Sequence, residues 1–243
     1  LSPSSAASDV YKRQCSTHSK VYLVRHRILD VYRVAKIFSG NQQDARRLMK
    51  EAHLIKNLKH PHIPVIYDIE QNIGEDNDSI CIIEEYIDGK SLRQYVHDET
   101  DTRGYLSVHE ICRIGIELCC ILEYLHGYNG NGILHMDIKP DNIMLDKNGK
   151  VKLIDYDNAV EGNAGLTVES GSPLYAAPEQ YNREKAVIQS DIYSLGMVIL
   201  FMVSHGHIVT DENHKLSEIS SRYSSLYHVI NKSLHHEWGL RYS

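Results

Sequence analysis

The sequence predicts an α+β fold in two lobes, in which a small antiparallel β-sheet with one main helix precedes a larger, mainly helical lobe. Two observations predict this arrangement. Before residue 89, apolar and polar residues alternate in several segments, as they do on half-buried strands. After Gly89 the apolar residues mostly recur at helical spacing.

The composition is that of an ordinary folded domain. The 243 residues carry a formal net charge of −6, and 42% of them are hydrophobic, too many for a disordered chain. The mild acidic excess argues against a nucleic-acid partner, and the longest apolar run, Met197–Val203, is too short for a membrane segment. Five cysteines without a repeated CxxC spacing argue against a disulfide framework or a zinc site.

Residues 1–14 are interpreted as a non-native leader. Ser4–Gln14 resembles the in-frame translation of a sequencing adapter, and the segment lacks the apolar core of a signal peptide. Without it the first lobe begins at residue 15 and lacks its first strand. We therefore assign residues 15–88 to the first lobe and a hinge, and residues 89–243 to the second lobe, whose C-terminal helix is expected to be truncated.

Alternating residues predict two pairs of strands in the first lobe. Lys20–Arg25 and Tyr32–Phe38 form a predicted hairpin, and Val65–Ile69 and Ser79–Glu84 are predicted to be further strands. Between these pairs, apolar residues at helical spacing predict a helix over Asp44–Leu58.

In the second lobe, Ser107 and Glu110 form a capping box that opens a long helix. Ile143–Leu145 and Val151–Ile154 predict a small hairpin. Further helices are predicted at Ser91–His97, Ser190–Ser204 and Leu226–Leu234, and the second of these is apolar nearly all round.

The most informative segment is His135–Asn142, which reads His-Met-Asp-Ile-Lys-Pro-Asp-Asn. A carboxylate, a cation two residues later and an amide five residues later suit phosphoryl transfer, because the acceptor hydroxyl, the phosphate and Mg²⁺ each need a partner. The segment resembles the catalytic loop of eukaryotic-type serine/threonine protein kinases. This resemblance implies that Asp137 is the catalytic base, Lys139 its partner at the γ-phosphate and Asn142 a Mg²⁺ ligand.

Further motifs indicate a protein-kinase-like fold and resemble those of bacterial members of this kinase family. Asp155 in Asp155-Tyr156-Asp157 matches the D-F-G aspartate that holds Mg²⁺, and Tyr156 keeps an aromatic plug. Glu179 closes an Ala-Pro-Glu motif and is expected to pair with Arg241. Asp191 resembles the helix aspartate that holds the catalytic-loop backbone, and Ser172 the residue that bridges the catalytic Asp and Lys.

In the first lobe the resemblance implies an ATP site. Lys36 corresponds to the lysine that binds the α- and β-phosphates, and Glu51 to its partner on the helix. The hinge is identified as Glu85–Gly89, whose backbone would read adenine, so that Glu84 is a charged gatekeeper that polarises the back of the pocket. The adenine-pocket residues implied by the resemblance are Val21, Ala35, Glu85, Ile87 and Met144.

Three features depart from the family pattern. Met136 replaces the usual Arg, Asp157 replaces Gly, and the positions of the glycine-rich loop fall on Gln14, Ser16 and Ser19. The resemblance implies a cytoplasmic, Mg²⁺-dependent kinase that transfers the ATP γ-phosphoryl group to protein Ser or Thr hydroxyls. The departures leave open an alternative, a pseudokinase scaffold that binds partners or nucleotide without phosphoryl transfer.

Overall fold

The computed structural model divides the chain into two compact units, Leu1–Asp88 and Gly89–Ser243. The fold is the predicted α+β type, with the sheet in the first unit and most of the helices in the second. The structure describes residues 7–15, 20–39, 49, 52–73, 79–162, 171–182, 184–207 and 223–243.

The first unit is built on a five-stranded antiparallel sheet. Its strands follow the order β1-β2-β3-β5-β4. The predicted hairpin and the second predicted pair of strands are confirmed. The strand bounds are Ala7–Cys15 (β1), Lys20–His26 (β2), Val31–Ser39 (β3), Ile66–Ile73 (β4) and Ser79–Glu85 (β5).

Both faces of this sheet carry apolar clusters, because successive side chains point to opposite sides of a strand. On one face, Phe38, Ile80 and Ile82 pack with Ala52, which lies among the helical residues 52–55. On the other face, Ala35 packs with Val24 and Cys81. The predicted helix is thus described only in part, since residues 44–48, 50 and 51 lie outside the described residues.

At the edge of the sheet the structure differs from the sequence prediction. Residues 7–15 pair with β2 in antiparallel fashion, with Ala7 opposite His26 and Cys15 opposite Lys20. An exposed strand edge offers backbone N–H and C=O groups that can pair with almost any extended segment. The position of the first strand, predicted to be missing, is therefore filled by residues 7–15, and the non-native origin of residues 1–14 stays a prediction.

The second unit contains most of the helices and two small sheets, β6-β8-β9 and β7-β10. Short 3₁₀ turns occupy Tyr128–Gly130, Pro140–Asn142 and Trp238–Leu240. The strands are Gly89–Ser91 (β6), Ile133–Leu134 (β7), Ile143–Asp146 (β8), Val151–Leu153 (β9) and Val160–Glu161 (β10). The helices are Leu92–Arg103 (α1), Val108–His126 (α2), Pro178–Tyr181 (α3), Ile188–Val203 (α4) and Ser224–Ser233 (α5).

Local signals account for the ends of the first two helices. The predicted capping box is confirmed, since the Ser107 hydroxyl accepts the Glu110 N–H at 3.2 Å and the Glu110 carboxylate accepts the Ser107 N–H at 3.0 Å. Helix α1 runs one and a half turns beyond its predicted end, to Gly104, whose φ of 80° suits a residue without a Cβ.

Helix α4 is buried along most of its length, as its apolar sequence predicts. Its residues form the centre of the second unit's core, together with the inward face of α2. None of the helices in the described part of the chain has both the length and the hydropathy that a bilayer-spanning segment requires.

Candidate active site

A single buried carboxylate anchors the backbone of the loop that contains Asp137. Asp191, in the first turn of α4, is fully buried and accepts hydrogen bonds from the N–H groups of His135 at 2.9 Å and Met136 at 2.8 Å. The predicted anchoring role of Asp191 is therefore confirmed. The sequence analysis missed His126, at the end of α2, whose Nε2 lies 2.9 Å from the same carboxylate.

The protonation states of this anchor follow from burial and from hydrogen bonds. Burial alone would raise the pKa of Asp191, but the hydrogen bond and charge of His126, with further contributions from His135 and the Met136 N–H, lower it. Burial lowers the pKa of His135 despite nearby carboxylates. A neutral His135 fits its contacts, because Nδ1 accepts the Asp137 N–H at 3.3 Å while Nε2 lies 3.3 Å from the Ile154 carbonyl.

Asp137 lies at the centre of a hydrogen-bonded cluster and is 7% exposed. Its Oδ2 accepts a hydrogen bond from Lys139 Nζ at 2.7 Å, and its Oδ1 accepts one from the Ser172 hydroxyl at 2.9 Å. Lys139 Nζ also donates to the Ser172 oxygen at 2.7 Å. The bridge that the sequence predicted between Asp137, Lys139 and Ser172 is confirmed.

Asn142 joins this cluster from the 3₁₀ turn. Its Nδ2 donates to the backbone oxygen of Asp137 at 2.9 Å and to the Asp137 carboxylate at 3.1 Å. Because the nitrogen is engaged in these bonds, the side-chain oxygen of Asn142 is the atom that could ligate a cation. The Ile154 N–H donates to the Asn142 backbone oxygen at 2.8 Å. This backbone hydrogen bond ties Asn142 to the residue that immediately precedes Asp155.

These two residues have the chemistry that a Mg²⁺ site needs. An amide oxygen and a carboxylate are hard oxygen donors, and Mg²⁺ at phosphate sites commonly takes only one or two protein ligands and completes its shell with phosphate and water. In the described part of the chain no group of three or more His, Cys, Asp or Glu residues could hold a metal ion alone. The donor chemistry of Asn142 and Asp155 is therefore compatible with a Mg²⁺ ion that has further ligands.

Two residues beside the cluster adopt a left-handed backbone. Met136 has a φ of 64° and Asp155 a φ of 67°, a region that costs free energy for residues other than Gly and that concentrates at functional sites. The Met136 side chain is buried against Leu134 and Val160, in an apolar cluster. Apolar packing therefore occupies the position where the family pattern has an Arg.

The predicted aromatic plug is also buried. Tyr156 is 1% exposed, and its ring centroid lies 4.7 Å from that of His135. Its contact with a residue of the loop ties the Asp155-Tyr156-Asp157 segment to the cluster around Asp137.

The predicted Glu179–Arg241 pair is confirmed. Two guanidinium nitrogens of Arg241 donate to the two carboxylate oxygens of Glu179, at 2.7 and 2.9 Å. Ser190 donates a further hydrogen bond to Glu179 at 2.8 Å. Because Glu179 ends the segment that contains Ser172, this buried pair fixes the far end of that segment.

In the first unit, Lys36 lies beside an acidic side chain of its own sheet. Lys36 Nζ is 3.5 Å from Glu84 Oε1, and each side chain is 13% exposed. Val34 pairs directly with Glu84, and Val21 directly with Lys36, so these four side chains share one face of the sheet. Glu51, the predicted partner of Lys36, lies outside the described residues.

Ala35 does not share this face. It neighbours Lys36 on β3 and therefore points to the other side of the sheet, where it is buried with Val24 and Cys81. The structure therefore places the side chain of Ala35, a predicted adenine-pocket residue, on the face of the sheet opposite that of Lys36. Val34 shares the face of Lys36, and the strict alternation along β3 was the signal that would have identified it.

The other residues predicted for the adenine pocket and the glycine-rich loop lie on several different elements or outside the described residues. Glu85 ends β5, where its carboxylate accepts the Val65 N–H at 3.2 Å, and Ile87 follows it as a buried residue. Met144 lies on β8, opposite Ser91 of β6. Ser16 and Ser19, two of the predicted glycine-loop positions, lie outside the described residues.

Comparisons with known proteins agree with this geometry. Residues 17–240 match the family model for the protein kinase domain. The chain is 32% identical over 207 residues to the serine/threonine-protein kinase PrkC of Bacillus subtilis, an alignment that covers 82% of this chain and 30% of PrkC. It is 32% identical over 194 residues to a probable serine/threonine-protein kinase of Clostridium perfringens, with 76% of this chain and 27% of that protein covered.

A human relative shows a similar level of identity. The serine/threonine-protein kinase Nek2 of Homo sapiens is 33% identical over 166 residues, with 66% of this chain and 37% of Nek2 covered. The aligned parts of this chain thus span between 27% and 37% of the length of these three relatives.

Proposed function

Because this chain belongs to the protein kinase domain family, we propose that it transfers the γ-phosphoryl group of ATP to Ser or Thr hydroxyls of protein substrates. The observation that carries this proposal is the cluster of Asp137, Lys139 and Ser172, in which every polar group is oriented by another. Relatives named as serine/threonine kinases support the same activity.

Asp137 is the proposed base. A carboxylate held at 7% exposure, with both oxygens accepting hydrogen bonds, can accept the proton of an acceptor hydroxyl without first reorienting. The Ser172 hydroxyl and the Lys139 ammonium fix its two oxygens. In phosphoryl transfer most of the rate enhancement comes from such positioning and from charge stabilisation.

Lys139 and Lys36 are the proposed phosphate ligands. The Lys139 ammonium has three N–H donors, of which two bind Asp137 and Ser172, so that one remains for the transferred phosphoryl group. Lys36, held beside Glu84, would bind the α- and β-phosphates. Mg²⁺ held by Asn142 and Asp155 would neutralise phosphate charge.

In the first unit, Val21, Val34 and Ile87, with the backbone around Glu85, are proposed to contact adenine. In the second unit, Met144 is proposed as a further adenine contact. We place the activity in the cytoplasm, where ATP is available. Although Met136 and Asp157 depart from the family pattern, the buried packing of Met136 gives its own support to the loop. No observation favours the scaffold alternative over phosphoryl transfer.

A phosphotransfer assay tests the proposal. The purified chain is incubated with ATP radiolabelled at the γ-phosphate, Mg²⁺ and a peptide mixture that contains either Ser and Thr or only Tyr as acceptors. We expect label on the Ser/Thr mixture, loss of transfer when Mg²⁺ is chelated, and loss in an Asp155→Asn variant. If Mg²⁺-ATP binds by calorimetry but no label is transferred, the chain is a scaffold and the proposal is refuted.

We expect Ser172→Ala to lower kcat by about tenfold, because a hydrogen bond to a charged group contributes about 1.5 kcal/mol and two such contacts orient Asp137 and Lys139. Ser172→Thr retains the hydroxyl and should keep most of the activity, which makes it the matched control. Steady-state kinetics with a Ser/Thr peptide measures both. Equal kcat values for the Ala variant and the wild type would show that the bridge has no part in turnover.

A further inference from the structure

We propose that Arg93 is a positioning residue that ties the loop around Asp137 to helix α1 and to the segment around Ser172. The inference rests on the proposed function, and it assigns to Arg93 a role that acts through Asp141 and Tyr175. Among the described residues, Arg93 hydrogen-bonds Asp141 and none of the groups proposed to contact ATP or the acceptor.

The contact between Arg93 and Asp141 is bidentate. Arg93 lies in the first turn of α1, and its Nε donates to Asp141 Oδ1 at 2.8 Å while its Nη2 donates to Asp141 Oδ2 at 2.7 Å. Asp141 lies in the 3₁₀ turn, immediately before Asn142 and two residues after Lys139. Two parallel hydrogen bonds fix the orientation of a carboxylate as well as its distance, which a single-point contact cannot do.

A third element joins at the same guanidinium. The Tyr175 side chain helps to raise the pKa of Arg93, and the guanidinium carbon of Arg93 lies 5.2 Å from the centroid of the Phe201 ring on α4. Tyr175 is buried, and its N–H donates to the Ser172 backbone oxygen at 3.1 Å. Arg93 therefore connects through Tyr175 to the residue whose hydroxyl orients Asp137.

The charge and exposure of the Arg93–Asp141 pair indicate that it affects the geometry of the loop more than the free energy of unfolding. The hydrogen bond from Arg93, partly opposed by burial, lowers the pKa of Asp141, so the carboxylate is ionised at neutral pH. The side chains of Arg93 and Asp141 are 37% and 46% exposed. Exposed ion pairs contribute little to the free energy of unfolding, and the pair therefore has its main effect on the geometry of the loop.

Three variants and a swap test this role. Arg93→Ala removes the contact, and Arg93→Lys keeps the positive charge but cannot form the bidentate pair of hydrogen bonds. Asp141→Asn removes the negative charge of the partner. We expect each to lower kcat/KM for a Ser/Thr peptide, by about 10- to 100-fold for Arg93→Ala, because a small misplacement of reacting groups has effects of that size. The loss should lie in kcat, with KM for ATP unchanged, and Arg93→Lys should recover only part of it.

The single variants Arg93→Asp and Asp141→Arg each break the pair. The double swap Arg93→Asp/Asp141→Arg restores an ion pair of opposite direction and should recover much of the loss of either of these single variants. The matched control is Lys90→Ala, which breaks the exposed Lys90–Asp98 ion pair near the same helix and should leave kcat unchanged. If Arg93→Ala has wild-type kcat, or if the losses of the two singles multiply in the swap, the proposal is overturned.

Hydrogen exchange gives a readout that does not depend on phosphoryl transfer. In Arg93→Ala the amides of Asn142, Ile154 and Ser172 should exchange faster, since they close the hydrogen bonds of the loop and of its neighbours. The amide of Asp146, in the β8–β9 hairpin, should not change. Faster exchange in a protein without kinase activity would refute the proposed function alone, whereas unchanged exchange at all three amides would refute the role of Arg93.

Discussion

Asp137→Asn should lower kcat for peptide phosphorylation by about 10²- to 10⁴-fold, the range that a positioned general base contributes. The amide is isosteric with the carboxylate, so the variant removes the charge and one acceptor but little of the packing. KM for ATP should remain close to the wild-type value, because Asp137 contacts the acceptor hydroxyl in this mechanism. Single-turnover measurements with labelled ATP give the rate of the chemical step directly.

The matched control for this change is Asp101→Asn, at an exposed position of α1. It makes the same chemical substitution at a residue that forms none of the hydrogen bonds of the Asp137 cluster, and it should leave kcat unchanged. If Asp137→Asn retains at least half of the wild-type rate, Asp137 is not the base, and the hydrogen bonds from Lys139 and Ser172 would then have a structural role only.

Arg241→Met should lower the free energy of unfolding by about 3–5 kcal/mol, because it leaves the Glu179 carboxylate buried without its cation. The Arg241 side chain has no exposed surface and that of Glu179 is 3% exposed. The double variant Glu179→Met/Arg241→Met should be more stable than either single variant, since neither charge is then left buried alone. Urea denaturation measures all three.

Trp238 is the only tryptophan in the sequence, and its backbone oxygen accepts the Arg241 N–H at 3.1 Å, so its fluorescence reports on this part of the molecule. The control is Lys90→Met, which breaks an exposed pair with Asp98 and should cost less than about 1 kcal/mol. A double variant as unstable as the sum of the two singles would show that the pair has no net coupling.

Acid should weaken the same interaction. Burial alone would raise the pKa of Glu179, but the hydrogen bonds and charge of Arg241 lower it below its ordinary value of 4.5. Since the folded-state pKa is the lower one, the contribution of ionised Glu179 is fully present above that ordinary value and is lost as the pH falls through the folded-state pKa. The difference in stability between wild type and the double variant should therefore be constant near neutral pH and should change only in acid.

The parts of the site that the sequence predicted are those whose residues lie close together in the chain or match a fixed spacing. Asp137, Lys139 and Asn142 occur within six residues, and a motif of that length carries both residue type and geometry. The strands β2 to β5 were predicted because their alternation is regular. The capping box of α2 was predicted for a similar reason, since both of its residues lie within one turn.

The missed contacts join residues that are distant in sequence. Arg93 and Asp141 are separated by 48 residues, and His126 and Asp191 by 65. No local pattern marks such partners, because their contact depends on how helices pack after they form. Ala35 was a different kind of error, since alternation from Lys36 along β3 places Val34 and not Ala35 on the same face.

The ion pair between Lys36 and Glu84 has a consequence for inhibitor chemistry. At the proposed ATP site, an inhibitor that extends an apolar group past Glu84 would meet a carboxylate that is 13% exposed. Displacing that carboxylate from Lys36 would leave two charges poorly solvated. A compound that carries an amine or amidine toward Glu84 would instead gain a charged partner, so selectivity at the proposed ATP site should come from cationic rather than lipophilic extensions.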